Sequence, residues 1–181
     1  AAVRDRVLTA AAKAGHEADL LDLYAEGFDP VMGRDERRGY HTPLENERPV
    51  RDHIARLKAA DGLIFVYPTW WYGQPAMLKG WLDRVLVPGV AFGMPEKGKP
   101  IKPGLTNIRL VGAISTLGAP FWFWSVAMAA PGRKILLRGV RAICHPRART
   151  FWLGLHEMDS IGEPARRRFL DRVDARVSKI R

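Results

Sequence analysis

Three aromatic residues in a row form the most informative feature of this sequence. Trp70, Trp71 and Tyr72 follow the continuous apolar run 62–67 and precede a helical pattern that begins at Pro75. A short apolar run of this kind is typical of a strand covered on both faces, and open α/β sheets bind ligands just beyond such strands. The order of these residues therefore predicts that the three rings contact a flat heteroaromatic ligand, by stacking and edge contacts.

The same aromatic residues allow a second interpretation. Trp70 and Trp71 would then fill the gap beneath the loop and belong to the core. Trp81 is a different case, because it lies on the apolar stripe of the helical pattern 75–85 and is expected to be buried. The sequence alone does not distinguish ligand contact from core packing for Trp70 and Trp71.

Other kinds of catalytic chemistry are not indicated. No Gly-x-Ser-x-Gly elbow, the commonest hydrolase pattern, occurs. Cys144 has no partner in a motif, and the histidines show no metal-ligand spacing, so no metal is expected. The histidines are His16, His41, His53, His145 and His156.

Apolar periodicity divides the chain into alternating helices and strands, which is typical of an α/β fold with a parallel sheet. The runs 62–67 and 107–114 are expected to be neighbouring interior strands, with helices on both faces of the sheet. Without a repeat or linker, residues 1–181 are expected to form a single domain. The predicted helices are 3–14, 50–57, 75–85, 134–140 and 164–180, and the predicted strands are 17–23, 62–67, 107–114 and 149–155.

Two long segments resemble the NAD(P)H dehydrogenase (quinone) family. Residues 68–85, PTWWYGQPAMLKGWLDRV, resemble its flavin-binding loop and the helix that follows. Residues 22–31, DLYAEGFDPV, resemble its segment after the second strand. The resemblance runs from residue 1 to about residue 120. It implies a flavodoxin-like fold, in which helices cover both faces of a doubly wound parallel sheet as three layers.

The resemblance also implies which residues bind the flavin, which would be FMN or FAD and would carry the redox chemistry. A second loop would offer N–H groups and hydroxyls to the ring edge that becomes negative on reduction. Phe92 falls where the family places an aromatic lid over the substrate. The implied contacts to the ring and ribityl chain are Pro68, Thr69, Trp70, Trp71, Tyr72 and Gly73 in the first loop, and Ser115, Thr116, Leu117, Gly118 and Ala119 in the second.

The aromatic stretch 120–124 departs from the family. Mammalian relatives place a tyrosine and a histidine near the flavin after the second loop, and this stretch contains neither. Trp122 and Phe123 are candidates for an apolar floor under a quinone. The stretch is equally compatible with part of a dimer interface or with ordinary core.

The beginning of the sequence departs from the family as well. A five-stranded sheet of this type has strand order 2-1-3-4-5, with strand one paired on both sides. This sequence begins inside a helical pattern, without that strand or the phosphate-binding loop that follows it. Leaving out the strand would expose two strand edges in the middle of the sheet. We therefore expect the native polypeptide to extend further upstream.

Positive charge is concentrated in the second half of the chain. The net charge is +10; residues 1–100 carry 14 basic and 14 acidic side chains, whereas residues 101–181 carry 15 and 5. Such a field attracts anions, although a solvated arginine-rich face is the simpler interpretation. No nucleic-acid motif, signal peptide or apolar run long enough to span a membrane is found, and one cysteine suits a reducing cytoplasm.

The resemblance implies a flavin-dependent NAD(P)H oxidoreductase. NAD(P)H would deliver hydride to the bound flavin, and a quinone or similar acceptor would then take two electrons in the same pocket. A cytoplasmic homodimer is the expected form. The alternative is an ancillary regulatory subunit of a potassium efflux system, because such subunits resemble the same family.

Overall fold

A computed structural model describes residues 1–94, 97–98 and 100–180. A sheet of three parallel strands lies at its centre, with the order β1-β2-β3. The middle strand is buried at its first six residues, as its apolar sequence requires. The strands are β1, Gly62–Pro68; β2, Leu110–Thr116; and β3, Arg149–Leu155.

The register of the sheet brings its carboxyl ends to one level. Pro68 is paired with Thr116, and Thr116 with Leu155. Since parallel strands end at the same edge, the segments that follow all three strands begin side by side. This edge is where the sequence predicts the site.

Helices surround the sheet. None of those in the described part of the chain is long and apolar enough to cross a membrane. A 3-10 helix, Arg48–Val50, and two π-helices, Phe123–Ala127 and Ile135–Val140, extend or connect the α-helices. The α-helices are α1, Ala2–Lys13; α2, Arg34–Gly39; α3, Arg51–Ala59; α4, Ala76–Val85; α5, Pro131–Lys134; and α6, Glu163–Val177.

Each face of the sheet has its own hydrophobic core. Ile114 faces α1 and α6, where it belongs to the same core as Phe169. Val111 lies on the opposite face, in a core with Leu82 of α4 and Leu136 of the π-helix Ile135–Val140. The alternation along β2 sends successive side chains to opposite faces. The three-layer α/β architecture predicted from the sequence is therefore confirmed.

The prediction of two neighbouring interior strands is correct for β2 and wrong for β1. The two strands pair in parallel along their full lengths, from Gly62 opposite Leu110 to Pro68 opposite Thr116. β1 nevertheless lies at the edge, because no strand among the described residues pairs with its other side. Val66 of β1 is accordingly exposed.

The predicted strand 17–23 is not formed. Its residues form an irregular segment that ends in a turn, and no strand in the described part of the chain pairs with them. Ion pairs hold the segment instead: Arg56 binds Asp19 at 2.6 Å, and Arg4 binds Asp22 at 3.3 Å. Strand propensity does not make a strand without a partner for its backbone N–H and C=O groups.

The strand predicted at 107–114 begins three residues later, at Leu110. The reason is the side chain of Asn107, whose amide donates hydrogen bonds to the carbonyl oxygens of Leu57, Lys58 and Ala60. Asn107 therefore satisfies the carboxyl end of α3 rather than extending the strand. The strand predicted at 149–155 has the predicted bounds.

Candidate functional site

Two loops meet at the carboxyl edge of the sheet: the first loop, residues 68–73, and the second loop, residues 115–119. The backbone N–H of Thr69 donates to the carbonyl of Thr116 at 2.8 Å. The hydroxyls of Thr69 and Ser115 lie 2.7 Å apart and share a hydrogen bond. These contacts fix the spacing of the two loops where they leave β1 and β2.

The first loop is a tight turn with an unusual backbone. Trp70 and Gly73 exchange both backbone hydrogen bonds, at 3.2 and 2.9 Å. Trp71 and Tyr72, at the two central positions, have φ angles of 45° and 63°. A two-residue turn with both central φ angles positive normally contains Asn and Gly, because large side chains are strained there. Such strain costs on the order of 1–3 kcal/mol per residue and is common at functional sites.

The strained turn exposes the side chains of Trp70 and Trp71 to solvent. Trp71 is 92% exposed and Trp70 is 63% exposed, whereas Tyr72 is half-buried against the ring of Phe123 at 6.0 Å. The interpretation in which the tryptophan pair fills the core is therefore wrong. Trp81, by contrast, is buried in α4 as predicted.

The first loop rests on the start of α5. Gly132 donates its N–H to the carbonyl of Tyr72 at 3.1 Å, and Gln74 donates from its side chain to the carbonyl of Gly132 at 2.7 Å. Gln74 also lies 3.4 Å from the hydroxyl of Tyr67. Burial raises the pKa of Tyr67 to about 12, so this residue is a neutral phenol at the base of the loop.

The second loop has fewer free hydrogen-bond donors than the resemblance implies. The N–H of Leu117 is already bonded to the carbonyl of Leu155 at 2.9 Å, and Leu117 itself is buried. The hydroxyl of Ser115 is bonded within the two loops. Within the described residues, the N–H groups of Gly118 and Ala119 have no protein acceptor. These two groups and the half-exposed Thr116 hydroxyl can face a ligand.

The aromatic stretch 120–124 divides into two parts. Trp124 is fully buried and stacks on Trp152, with ring centroids 5.0 Å apart and planes 16° apart, so ordinary core is the correct interpretation for this residue. Phe121 and Trp122 are exposed. Phe123 is partly buried and connects the exposed rings to the first loop, because it contacts both Trp122 and Tyr72.

Phe92 lies apart from the two loops. It forms isolated bridges with Pro88 and Pro103, and Gly89 donates its N–H to the carbonyl of Phe92 at 2.7 Å. The half-buried ring packs against the core between the sheet and α4. No hydrogen bond or ring contact joins Phe92 to either loop in the described part of the chain.

His156 is a site residue that the sequence analysis does not identify. It follows β3 directly, and its Nδ1 lies 3.2 Å from the carbonyl oxygen of Ala119. Because a carbonyl only accepts, Nδ1 carries the proton in this contact. The rings of Phe121 and Trp124 meet the imidazole edge-on at 5.2 and 5.4 Å. Burial lowers the pKa of His156, and the hydrogen bond to Ala119 opposes that shift.

The signal that could have found His156 is its position. It stands at the carboxyl end of a predicted strand, at the same edge as both loops, a position that metal-ligand spacing alone does not reveal. No group of three or more metal-ligating side chains occurs in the part of the chain that the structure describes. Burial raises the pKa of the Cys144 thiol to about 11, which keeps it protonated and unreactive.

Comparisons with known proteins identify the family of the chain. The sequence profile of a family described as having a flavodoxin-like fold matches residues 1–153. NAD(P)H dehydrogenase [quinone] 1 of Rattus norvegicus is 36% identical over 107 residues, which cover 50% of this chain and 39% of that protein. An uncharacterized NAD(P)H oxidoreductase of Haemophilus influenzae is 32% identical over 118 residues, covering 65% of this chain and 56% of that protein.

A solved structure from Streptococcus mutans UA159 superimposes with a TM-score of 0.78 at 27% identity, covering 98% of this chain and 93% of that one. The chain spans about half the length of the two curated relatives. The profile nevertheless matches well over half of the chain, and the relatives agree with the resemblance carried by residues 22–31 and 68–85. The chain therefore belongs to the flavodoxin-like family that includes the NAD(P)H dehydrogenases (quinone).

Proposed function

We propose that this protein is a flavin-dependent NAD(P)H oxidoreductase that reduces quinones or similar acceptors by two electrons. One observation carries the proposal: the strained Trp70–Gly73 turn holds two tryptophans in solvent on a loop that is hydrogen-bonded to the second loop, where, among the described residues, the N–H groups of Gly118 and Ala119 have no protein acceptor. Strain of this kind persists when the conformation serves a purpose, and exposed aromatic faces next to amide donors suit a flat polar ring.

The residues present fit the ring of FMN or FAD. The side chains of Trp70, Trp71 and Tyr72 offer apolar faces and edges for the isoalloxazine ring. The N–H groups of Gly118 and Ala119 would meet the ring edge on which negative charge develops during reduction, an arrangement that stabilises the reduced state. The bound flavin would supply the two-electron chemistry.

The other proposed flavin contacts shape the site. Pro68 and Thr69 continue β1 toward the ring, and Gly73 closes the turn. Ser115 and Leu117 hold the second loop through their own hydrogen bonds, so their role would be to fix its backbone. The hydroxyl of Thr116, at the end of β2, would meet the ribityl chain.

The electron donor and acceptor follow from the relatives and from the surface beside the site. NAD(P)H and a quinone appear in the name of the rat relative. Trp122 and Phe123 offer an apolar surface next to the first loop, on which a quinone could lie. Phe92 is proposed to border the acceptor site, although it contacts neither loop in this structure. The comparisons give no support to the alternative of a potassium efflux subunit, and we do not retain it.

We further propose that the protein is a homodimer. Five exposed apolar side chains lie on the first loop or on the segment 121–126, whose Phe123 contacts Tyr72 of that loop. We term them the aromatic patch: Trp70, Trp71, Phe121, Trp122 and Val126. Apolar surface of this kind on a single molecule marks a binding or association surface. A second copy seated there would cover the acceptor site and exclude water from it.

The experiment is a titration of the purified protein with FMN and, separately, FAD, monitored by the visible absorption and fluorescence of the flavin. NADH or NADPH is then added without oxygen, followed by a soluble quinone such as menadione. We expect saturable flavin binding, loss of flavin absorption with the nicotinamide donor, and its return with the quinone. Saturable binding without reduction would contradict the reductase activity, and no binding of either flavin would contradict the proposal as a whole.

A further inference from the structure

Outside the proposed flavin site, the molecule contains a strongly basic segment. Residues 101–156 contain eight basic residues and no acidic one. A stretch of 56 residues without a carboxylate concentrates positive potential around whatever surface it forms. The sequence alone leaves open whether these charges are dispersed in solvent or gathered at one place.

Three basic side chains of this segment line one cavity. Arg133 and Lys134 of α5 and Arg138 of the following π-helix line a concave site of about 360 Å³ beside β3. A volume in this range suits a small organic ligand. The remaining lining residues are Leu137, Thr150, Phe151 and Trp152.

These three cations are not neutralised by the protein. In the described ranges of the chain, no carboxylate forms an ion pair with Arg133, Lys134 or Arg138, and the guanidinium of Arg133 lies over the ring of Trp124 at 5.7 Å. Arg56, elsewhere in the fold, binds two carboxylates. Like charges around one concavity repel one another, and a bound anion would relieve that repulsion.

The free edge of β3 adds donors to the same cavity. Among the described residues, β3 pairs with β2 alone, and the N–H of Arg149 is directed to that side, where it bonds the carbonyl of Arg109 at 2.9 Å. Because N–H groups alternate between the two edges of a strand, those of Thr150 and Trp152 are directed to the open edge. Thr150 and Trp152 are both lining residues of the cavity.

The rest of the lining is apolar. Leu137 and the large ring of Trp152 border the cavity beside the cations. Inorganic phosphate would leave this surface uncovered, whereas a nucleotide could place its base against Trp152 and its phosphates among the cations. We infer that this cavity binds a phosphorylated nucleotide, of the size of an adenosine bisphosphate.

The cavity adjoins the proposed flavin site but is separate from it. Trp152 stacks on Trp124, and Arg133 follows Gly132, which bonds the first loop. None of the cavity residues belongs to the residues proposed to contact the flavin ring. The inference therefore stands or falls independently of the proposed function, because nucleotide binding is measured without flavin.

The test is calorimetric titration of the whole chain with adenosine 2′,5′-bisphosphate, in parallel with adenosine and with inorganic phosphate, at fixed salt. We expect saturable binding of the bisphosphate and binding of either component weaker by about tenfold or more, because a charge-assisted contact and a stacked base each contribute. The double variant Lys134→Gln/Arg138→Gln should weaken bisphosphate binding by about tenfold or more.

A matched control separates a local site from the general field. Arg168 and Lys179 are exposed on or beside α6, and Arg168→Gln/Lys179→Gln makes the same change in charge and residue type. We expect this control to bind the bisphosphate within about twofold of the wild-type chain. Equal loss in both variants, no binding by the wild-type chain, or equal affinity for inorganic phosphate would overturn the inference. A single-stranded oligonucleotide that binds more tightly, with both variants weakened alike, would also overturn it and favour a nucleic-acid surface.

Discussion

The exposed tryptophans of the first loop are the residues most directly tied to the proposed function. We predict that Trp70→Ala/Trp71→Ala weakens flavin binding, since each stacked aromatic contact contributes roughly 0.5–1.5 kcal/mol beyond its buried area. Both side chains are mainly exposed, so the free energy of unfolding should change by less than about 0.5 kcal/mol per residue. Flavin titration and urea unfolding of the same variant measure the two effects.

Trp81→Ala is the control for this prediction. Its side chain is buried in α4, so its removal should lower the free energy of unfolding by about 3–5 kcal/mol. If the double variant loses stability on that scale, or binds flavin like the wild-type chain, the tryptophan pair does not have the proposed role.

Backbone strain at Trp71 gives a second prediction. Its φ of 45° is tolerated far better by Asn than by Trp, and the side chain is almost fully exposed. We expect Trp71→Asn to raise the free energy of unfolding by about 0.5–1 kcal/mol while weakening flavin binding. Trp122→Asn is the control, because Trp122 is also exposed but has an ordinary helical φ of −61°. A gain in stability at Trp122 equal to that at Trp71 would show that strain is not the cause.

His156 gives a prediction for the pH dependence of stability. Burial lowers its pKa below the ordinary value of 6.5, and the nearby Glu157 and Arg172 act in opposite directions. Above that value the imidazole is neutral in both folded and unfolded chains, so it adds no pH dependence. As the pH falls below it, the unfolded chain takes up a proton before the folded one does, and stability decreases.

The test replaces the imidazole with a neutral group that can still donate to Ala119. We expect His156→Gln to lose less stability than the wild-type chain between about pH 7.5 and about pH 5.5, by urea unfolding. His53, whose pKa is also lowered by burial, is present in both proteins and cancels in the comparison. An identical decrease in the two proteins would show that His156 does not titrate differently on folding.

The sequence was more informative about the first loop than about the second. Trp70 and Trp71 could be placed at the site because they follow an apolar strand in a segment too short to bury them. The positive φ angles could not be predicted, because neither Trp71 nor Tyr72 is a residue type that favours them. His156 reaches Ala119 only through the pairing of β2 with β3, which no local pattern encodes.

At the scale of elements, α4 is positioned by a glycine. A Cβ at Gly80 would overlap the carbonyl oxygen of Pro30, so α4 approaches the segment before α2 at backbone distance. We predict that Gly80→Ala lowers the free energy of unfolding by about 1–3 kcal/mol, because no flexible side chain can move aside. Thermal or urea unfolding measures the change.

Gly139 provides the matched comparison for Gly80. It lies in the helical segment that follows α5, and a Cβ there would meet nothing within 4 Å. Gly139→Ala should therefore leave stability unchanged or raise it by up to about 1 kcal/mol, as expected for helix propensity. Equal destabilisation by both substitutions would mean that the close approach at Gly80 is not the reason.

The elements themselves were predictable where a local pattern determines them. α1, α3, α4 and α6 lie where apolar residues recur at helical spacing, and Gly15, with a φ of 81°, follows α1 as predicted. The predictions of secondary structure were wrong where contacts with residues distant in the sequence determine the element. Residues 17–23 have a strand pattern but no strand to pair with in the described chain. The side chain of Asn107 caps α3 by donating to the carbonyl of Ala60, so β2 begins after it.

At the scale of the whole molecule, the carboxyl end of the sheet and the outer side of β3 differ in chemistry. The carboxyl ends of β1 and β2 carry exposed aromatic rings, whereas the cavity beside β3 is lined by three cations for which no described carboxylate forms an ion pair. The sequence predicts the excess of charge but not its location, because Arg133, Lys134 and Arg138 face β3 only once the helical segment packs on the sheet.

The aromatic patch leads to the last prediction, on assembly. Val126 lies in the patch, is 77% exposed and is not a proposed flavin contact. We predict that the wild-type chain sediments as a dimer and that Val126→Glu shifts it toward the monomer, because a charge in an apolar interface is costly without a partner. Val31→Glu is the matched control, since Val31 is 68% exposed outside the patch, and it should remain dimeric. A monomeric wild-type chain, or equal dissociation of both variants in analytical ultracentrifugation, would show that the patch is not a dimer interface.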